Sequence, residues 1–366
     1  MEKKSWLKIG IVFLVVVAIC SVIVLISYNI KQTSNSNNLE VSNSGDISGE
    51  VLVSGDISGD ESSDEEIIEE PYLGPNIFSG DSRPIAVMID NEKPAWVNHG
   101  GLNSAYMLYE FIIEGGESRI MAFFKNVAPE YIGPVRSARH YFLDYAMEHD
   151  AIFTHFGWSP LAQSDIKTLG INNINGIYDT FFWRVPPKSS YHNAITSMAN
   201  LKKQIEKKNY RDTSAAECVI KYNRYDTDIE SGEIANSLKI KYSGTQNVSY
   251  KYDAENKIYL RSMRGQVHKD SQTGEQFYAK NIVMIYVKDE LLDDPEDKGR
   301  RNLYNVGNGK GYYATNGKIE PIVWEKKSRS GKTTYYNMKG EELTFNDGII
   351  WVQIVPVTGS ITWSAE

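Results

Sequence analysis

Residues 84–90 read PIAVMID: a proline, five consecutive apolar residues and a closing aspartate. A run this short, with no polar face at helical spacing, predicts a strand covered on both sides. The pattern recurs downstream at 119–124 (RIMAFF) and 151–155 (AIFTH). Between these strands, 103–110 reads as a short helix with Asn103 at its N-cap. Gly133-Pro134 makes a turn, and 137–149 reads as a helix with Ala138, Phe142 and Tyr145 on one face. Ser159-Pro160 opens a further helix that stops at Gly170, with serine as N-cap, proline in the first turn and glycine past the end. The stretch 193–208 places Ile195, Met198, Leu201 and Ile205 inward and lysines in its last turns, and Asn193 is placed to cap it. Strands alternating with helices predict an α/β domain, a mixed sheet with helical cover, over 77–228.

The last third has a different texture. Segments 248–252 and 258–261 flank a DAEN turn, and 282–287 is continuously apolar. Asn316-Gly317 separates 312–314 from 319–324, a strong hairpin signal. Asp347-Gly348 precedes a final apolar run at 349–355. No helical pattern appears beyond about residue 237. These features predict a small all-β domain over 229–366, with the boundary inside 226–232.

Upstream of both lies a stretch without charge from Ile9 to Ile30, long enough to span a bilayer as one helix. Lysines precede it and an acidic segment follows, which puts the N-terminus in the cytoplasm and the folded part outside. An uncleaved anchor over residues 1–30 is the reading adopted. Its rivals are a cleaved signal peptide, which would have a shorter apolar core, and a lipidated Cys20, which Ile19 fits poorly. Residues 31–76 contain one lysine against eleven carboxylates and repeat SGDISG. Such a stretch cannot bury enough apolar surface to offset its ordering entropy, so a disordered acidic linker is expected.

Composition excludes several classes. The 366 residues carry 39 Lys+Arg and 47 Asp+Glu, a net charge of -8. The linker's surplus outweighs that total, so the folded part is close to neutral, and a chromatin-like nucleic-acid binder is excluded. With two cysteines a disulfide scaffold is excluded, and Cys218 reads as an inert core thiol. No P-loop or G-x-G-x-x-G is present, and no histidine spacing matches a metal site. No cofactor and no metal is therefore expected.

Functional groups in open α/β sheets gather beyond the carboxyl ends of strands. Asp90 ends the first strand and His155 the third; either can serve as acid/base or metal ligand. Arg136 and Arg139 are placed to open the helix after Gly133-Pro134. Two cations at a helix N-terminus oppose the dipole unless an anion completes the arrangement. That anion is either a phosphate or carboxylate ligand, or a carboxylate of this chain such as Asp90, Glu110 or Glu114. Arg184, His192 and Asn193, in and after a Pro186-Pro187 loop, complete the anion-binding candidates. HFGWS at 155–159 resembles a nucleophile elbow, but Pro160 removes the N–H that an oxyanion needs, which excludes a conventional serine hydrolase.

The segments RPIAVMIDN (83–91), IGPVRSARHYFLDYA (132–146), HFGWSP (155–160) and YHNAI (191–195) resemble the YerB family of bacterial envelope lipoproteins. HKDSQTGEQFYAKNIVMIYV (268–287) and GIIWVQIVPV (348–357) resemble that family's C-terminal domain. The resemblance implies a two-domain extracytoplasmic protein of Gram-positive type with no established activity, and it assigns no catalytic residue. The plan is also similar, in architecture alone, to the LytR-CpsA-Psr phosphotransferases. Three readings follow. The first is an envelope protein that binds or scaffolds a cell-wall polymer or wall-synthesis protein. The second is a phosphotransferase-like enzyme, with Arg136, Arg139 and Arg184 on phosphate oxygens and Asp90 as base or metal ligand. The third is a sensor for a small anion. Whether the protein is an enzyme stays open at this level.

Overall fold

The structure, a computed structural model, describes residues 81–187, 190–215 and 219–366. The expected anchor (9–30), Cys20, the acidic linker (31–76) and Cys218 lie outside the described residues. Among the described residues no helix is long and apolar enough to cross a membrane.

The segment PIAVMID forms β1 (Ile85–Asp90), every residue of it buried. It lies between β3 (Ser118–Phe124), antiparallel, and β4 (Ile152–His155), parallel; β5 (Asn173–Asn175) extends the sheet beyond β4. On the far side of β3 runs β2 (Met107–Ile112), again wholly buried. The helix expected at 103–110 is therefore corrected: three residues, Leu102–Ser104, make a 3₁₀ turn and, after two connecting residues, strand begins at Met107. The cause is the run MLYEFI, whose Tyr, Phe and Ile suit a pleated surface and which is sandwiched between two other strands. The helix expected over 137–149 shrinks to a 3₁₀ turn (His140–Phe142) and α1 (Leu143–Glu148). The reading at Ser159 holds: α2 (Pro160–Thr168) begins with Ala162 N–H donating to Ser159 Oγ at 3.3 Å. A short hairpin, β6 (Trp183–Arg184) with β7 (Ala194–Ile195), precedes α3 (Met198–Lys207). The N-cap of α3 is Ser197, four residues later than expected, so Asn193 is not its cap.

The remaining strands are β8 (Glu233–Ile234), β9 (Ser237–Lys241), β10 (Asn247–Asp253), β11 (Ile258–Met263), β12 (Gln266–Val267), β13 (Tyr278–Ala279) and β14 (Asn281–Val287). They continue through β15 (Asp289–Leu291), β16 (Arg301–Leu303), β17 (Gly307–Thr315), β18 (Lys318–Lys326), β19 (Thr333–Asn337), β20 (Ile350–Pro356) and β21 (Ser360–Ser364). The C-terminal third is β throughout, as expected, but its strands serve two sheets. β9, β10, β11, β12, β13 and β21 form a six-stranded sheet. β14, β17, β18, β19 and β20 instead extend the N-terminal sheet, because β20 pairs in parallel with both β2 and β14. Eleven strands share that larger sheet. Leu238, Ile240, Val248 and Tyr250 of the smaller sheet are buried in the same core as Tyr109, Phe111, Trp351 and Val352 of the larger one.

A fully buried ion pair crosses between the sheets: Arg261 Nη2 to Glu110 Oε2 at 2.8 Å, with Trp351 beneath the guanidinium. Asn91, Ser118 and Gln246 donate to the other carboxylate oxygen of Glu110. Such a pair contributes little net energy unless its remaining hydrogen-bonding capacity is filled. Here it is filled.

Candidate functional site

Asp90 stands at the carboxyl end of β1, where the register places Arg119 opposite it on β3. Beyond this point the gap between β1 and β4 is filled by residues 135–138 in extended conformation. Arg136 N–H donates to Met88 O at 2.9 Å, and Phe156 N–H donates to Arg136 O at 2.9 Å. The segment thus completes the hydrogen bonds of two strand ends. Arg136 consequently does not open a helix, and that expectation is corrected; Arg139 stands at the N-cap of the His140–Phe142 3₁₀ turn that leads into α1. Gly133, at φ 148, lets the chain enter this gap where a Cβ would meet Ala194 O at 3.0 Å.

Arg136 Nε lies 3.1 Å from Asp90 Oδ2, and Arg136 Nη2 lies 3.8 Å from Glu92 Oε1. From the 190–193 loop, His192 Nδ1–H donates to the same Asp90 oxygen at 2.7 Å. Asp90 Oδ1 accepts from the backbone N–H of Glu92 at 3.2 Å. Burial alone would raise the Asp90 carboxyl. The His192 hydrogen bond and the charges of Arg136 and Arg119 outweigh it and hold the group below its usual range. Arg119 is itself pushed down to about 10, by burial first and then by the charge of Arg139.

A second set of bonds holds the main chain of Asp90 from behind. Arg261 Nε–H can only donate, so His268 Nδ1 accepts, at 3.1 Å. His268 Nε2–H then donates to His99 Nδ1 at 2.6 Å, and His99 Nε2–H donates to the backbone carbonyl of Asp90 at 2.5 Å. Burial drives both imidazoles toward the neutral form, His99 down to about 4 and His268 well below its ordinary value. Neutral rings are what this donor–acceptor order requires.

The other expected site residues are placed elsewhere. Arg139 is taken up by Glu114, Nη2 to Oε2 at 3.0 Å with a shorter contact at Nε. Arg184 donates to Asn193 Oδ1 at 2.7 Å and lies over Phe156. Asn193 donates in turn to Val185 O and Pro187 O, so it closes the β6–β7 loop. His155 is buried against Gly157 O and Asn173, and burial pushes it down to about 4. The structure therefore brings together Asp90, Arg136 and His192 and leaves Arg139, Arg184, Asn193 and His155 in bonds of their own.

Sequence reasoning missed Glu92, Arg119 and Tyr191 as members of the cluster. Tyr191 is exposed, with the Arg136 guanidinium 4.9 Å from its ring centre. The available signal was opposite charges at matching ends of two apolar strands, Asp90 and Arg119.

Asp90, Glu92 and His192 bring one ligand atom each within 4.8 Å of one another. Two guanidiniums already neutralise these carboxylates, so a dication there would meet positive charge rather than an open acidic cage. What the arrangement offers is a histidine whose Nδ1 is fixed by a carboxylate. In the neutral ring Nε2 is then the basic atom, beside an arginine whose outer edge reaches solvent.

Two models described as protein of unknown function (DUF3048) match the chain, the N-terminal domain over residues 76–211 and the C-terminal domain over 238–352. The chain is 31% identical over 280 residues to the putative lipoprotein YerB of Bacillus subtilis (strain 168), spanning 75% of this chain and 81% of that one. The crystal structure of the Bacillus subtilis YerB protein is similar with a TM-score of 0.68 at 29% identity, covering 77% of this chain and 94% of that one.

Proposed function

The chain belongs to the DUF3048 family of YerB-like proteins, and on that premise we propose that it is a membrane-attached, extracytoplasmic protein that binds or scaffolds a cell-wall component. The relative's description as a putative lipoprotein supports the envelope location. Attachment runs through residues 9–30, as an uncleaved anchor or by lipid on Cys20.

The observation that carries the binding reading is the pairing of the arginines. Arg139 with Glu114, and Arg136 with Asp90 and Glu92, are matched within the chain. A three-arginine phosphate clamp is therefore not preassembled, and the contact surface narrows to Arg136, His192 and the exposed Tyr191. The test is photocrosslinking in living cells from a photoreactive residue at position 191, followed by identification of the captured material. Capture is expected to fall at least tenfold in Arg136→Ala and to persist in Arg139→Ala. Equal capture in wild type and Arg136→Ala defeats the reading.

A second reading, a phosphotransferase-like enzyme on a phosphate-bearing wall substrate, is favoured by one observation, the 2.7 Å His192–Asp90 bond. A carboxylate that orients an imidazole is the arrangement a general base needs.

A further inference from the structure

The six-stranded sheet buries one face and turns the other to solvent, so alternate residues along β9, β10 and β11 point outward. Register puts Lys239 opposite Ser249 on one side and opposite Thr362 on the other, with Ser262 one strand beyond Ser249. Lys241 follows two residues along β9, and Lys251 stands diagonally on β10. All three lysines are exposed, and none has a carboxylate partner among the described residues. The other lysines of this half are mostly matched: Lys257 and Lys280 by Asp226, Lys326 by Glu148, Lys332 by Glu342. Neither Asp253, two residues along β10 from Lys251, nor Glu366 forms a salt bridge with these lysines among the described residues. Asp253 is held in its own turn by Asn256, and the C-terminal Glu366 takes Ser237 through a main-chain oxygen.

Lysines two residues apart on a strand are about 7 Å apart, and neighbouring strands are about 4.8 Å apart. The charges therefore form a strip two strands wide, bordered by hydroxyls. The strip lies along a shallow hollow of about 380 Å³. Trp363, at its edge, is turned onto Tyr312 and Glu233. The apolar side chains of this face, Leu260 opposite Lys251 and the exposed Val267 opposite Ser262, lie on one border of the hollow, and a hollow suits a chain laid into it better than a bilayer surface. We propose that this face binds a linear, hydroxyl-rich polyanion, of the class of phosphodiester-linked polyols. Charge complementarity supplies the attraction and the serine and threonine hydroxyls supply contacts to the polyol. The surface is separate from the Asp90 cluster and does not depend on it.

The test measures binding of poly(glycerol phosphate) to the full-length chain in zwitterionic detergent across a salt series. The triple variant Lys239→Ala, Lys241→Ala, Lys251→Ala is expected to bind at least tenfold more weakly and with a flatter salt dependence. A count-matched set on α3, Lys202→Ala, Lys203→Ala, Lys207→Ala, is expected to stay within twofold of wild type. Ser249→Ala with Ser262→Ala should weaken poly(glycerol phosphate) but not inorganic polyphosphate. The proposal is overturned by absence of polymer binding in the wild type or by equal losses in the two lysine sets. Hydroxyl variants that weaken both polymers alike overturn the polyol part. Binding of phosphatidylglycerol vesicles but not polymer, lost in the triple variant, would assign the face to the membrane instead.

Discussion

At Asp90 a single buried carboxylate serves four positive or proton-donating neighbours, Arg136, Arg119, His192 and the Glu92 N–H. Asp90→Asn removes a counter-charge of Arg119, buried, and of Arg136, and leaves Glu92 at 4.0 Å and 3.8 Å from them. Breaking a buried pair in this way costs about 3 kcal/mol or more. The sign of the pH effect follows from the depressed carboxyl. Its contribution is fully present above the unfolded-state value near 3.9 and is lost as pH falls through the lower folded-state value. Urea unfolding at pH 7, 5, 4 and 3 should therefore show a wild-type advantage over Asp90→Asn that shrinks below about pH 4. A constant difference across the series would show that Asp90 acts through packing. The chemistry of this residue was legible early, since an acid closing a buried strand is conspicuous. Its partners were not, because Arg136 was assigned to a helix start and Arg119 was read only as part of a strand.

At the scale of elements, the errors of sequence reading share one cause. MLYEFI and the residues around Arg136 have no strong local preference that overrides their neighbours, and strand partners on both sides decided for extended structure. Local signals succeeded where a side chain satisfies the backbone within its own turn, as at Ser159. The same rule separates Ser197 from Asn193. Ser197→Ala removes the Asn200 N–H acceptor at the start of α3 and should cost about 1 kcal/mol. Asn193→Ala instead frees Val185 O, Pro187 O and Arg184. Hydrogen exchange tells them apart. Ser197→Ala should accelerate exchange in the first turn of α3, and Asn193→Ala in the β6–β7 hairpin. The reverse pattern would restore Asn193 as the cap.

For the whole molecule, the decisive contact is β20 between β2 and β14. It joins a strand near the C-terminus to the first hairpin-like layer, while Arg261 and Glu110 bind the second sheet to the same strand β2. A fragment ending at residue 228 would expose the hydrogen-bonding edge of β2 and strand a buried carboxylate. That fragment should show no cooperative thermal transition by circular dichroism, whereas the folded portion with its C-terminal third should melt in a single step. A native-like, cooperative fragment would show the N-terminal half to be autonomous.

The amino-acid sequence by itself determined nine of the 21 strands among the described residues, the helix at Ser159, the β character of the last third and the family, because these rest on short-range pattern and on motif. Only the tertiary structure decided which charges meet. Asp90 and His192 lie 102 residues apart, and Arg261 and Glu110 lie 151 apart. Period and propensity act over a few residues, so they contain no term for such pairs. It is the sheet order, set by burial of whole strand faces, that determined which arginines were neutralised from within and which lysines were left facing water.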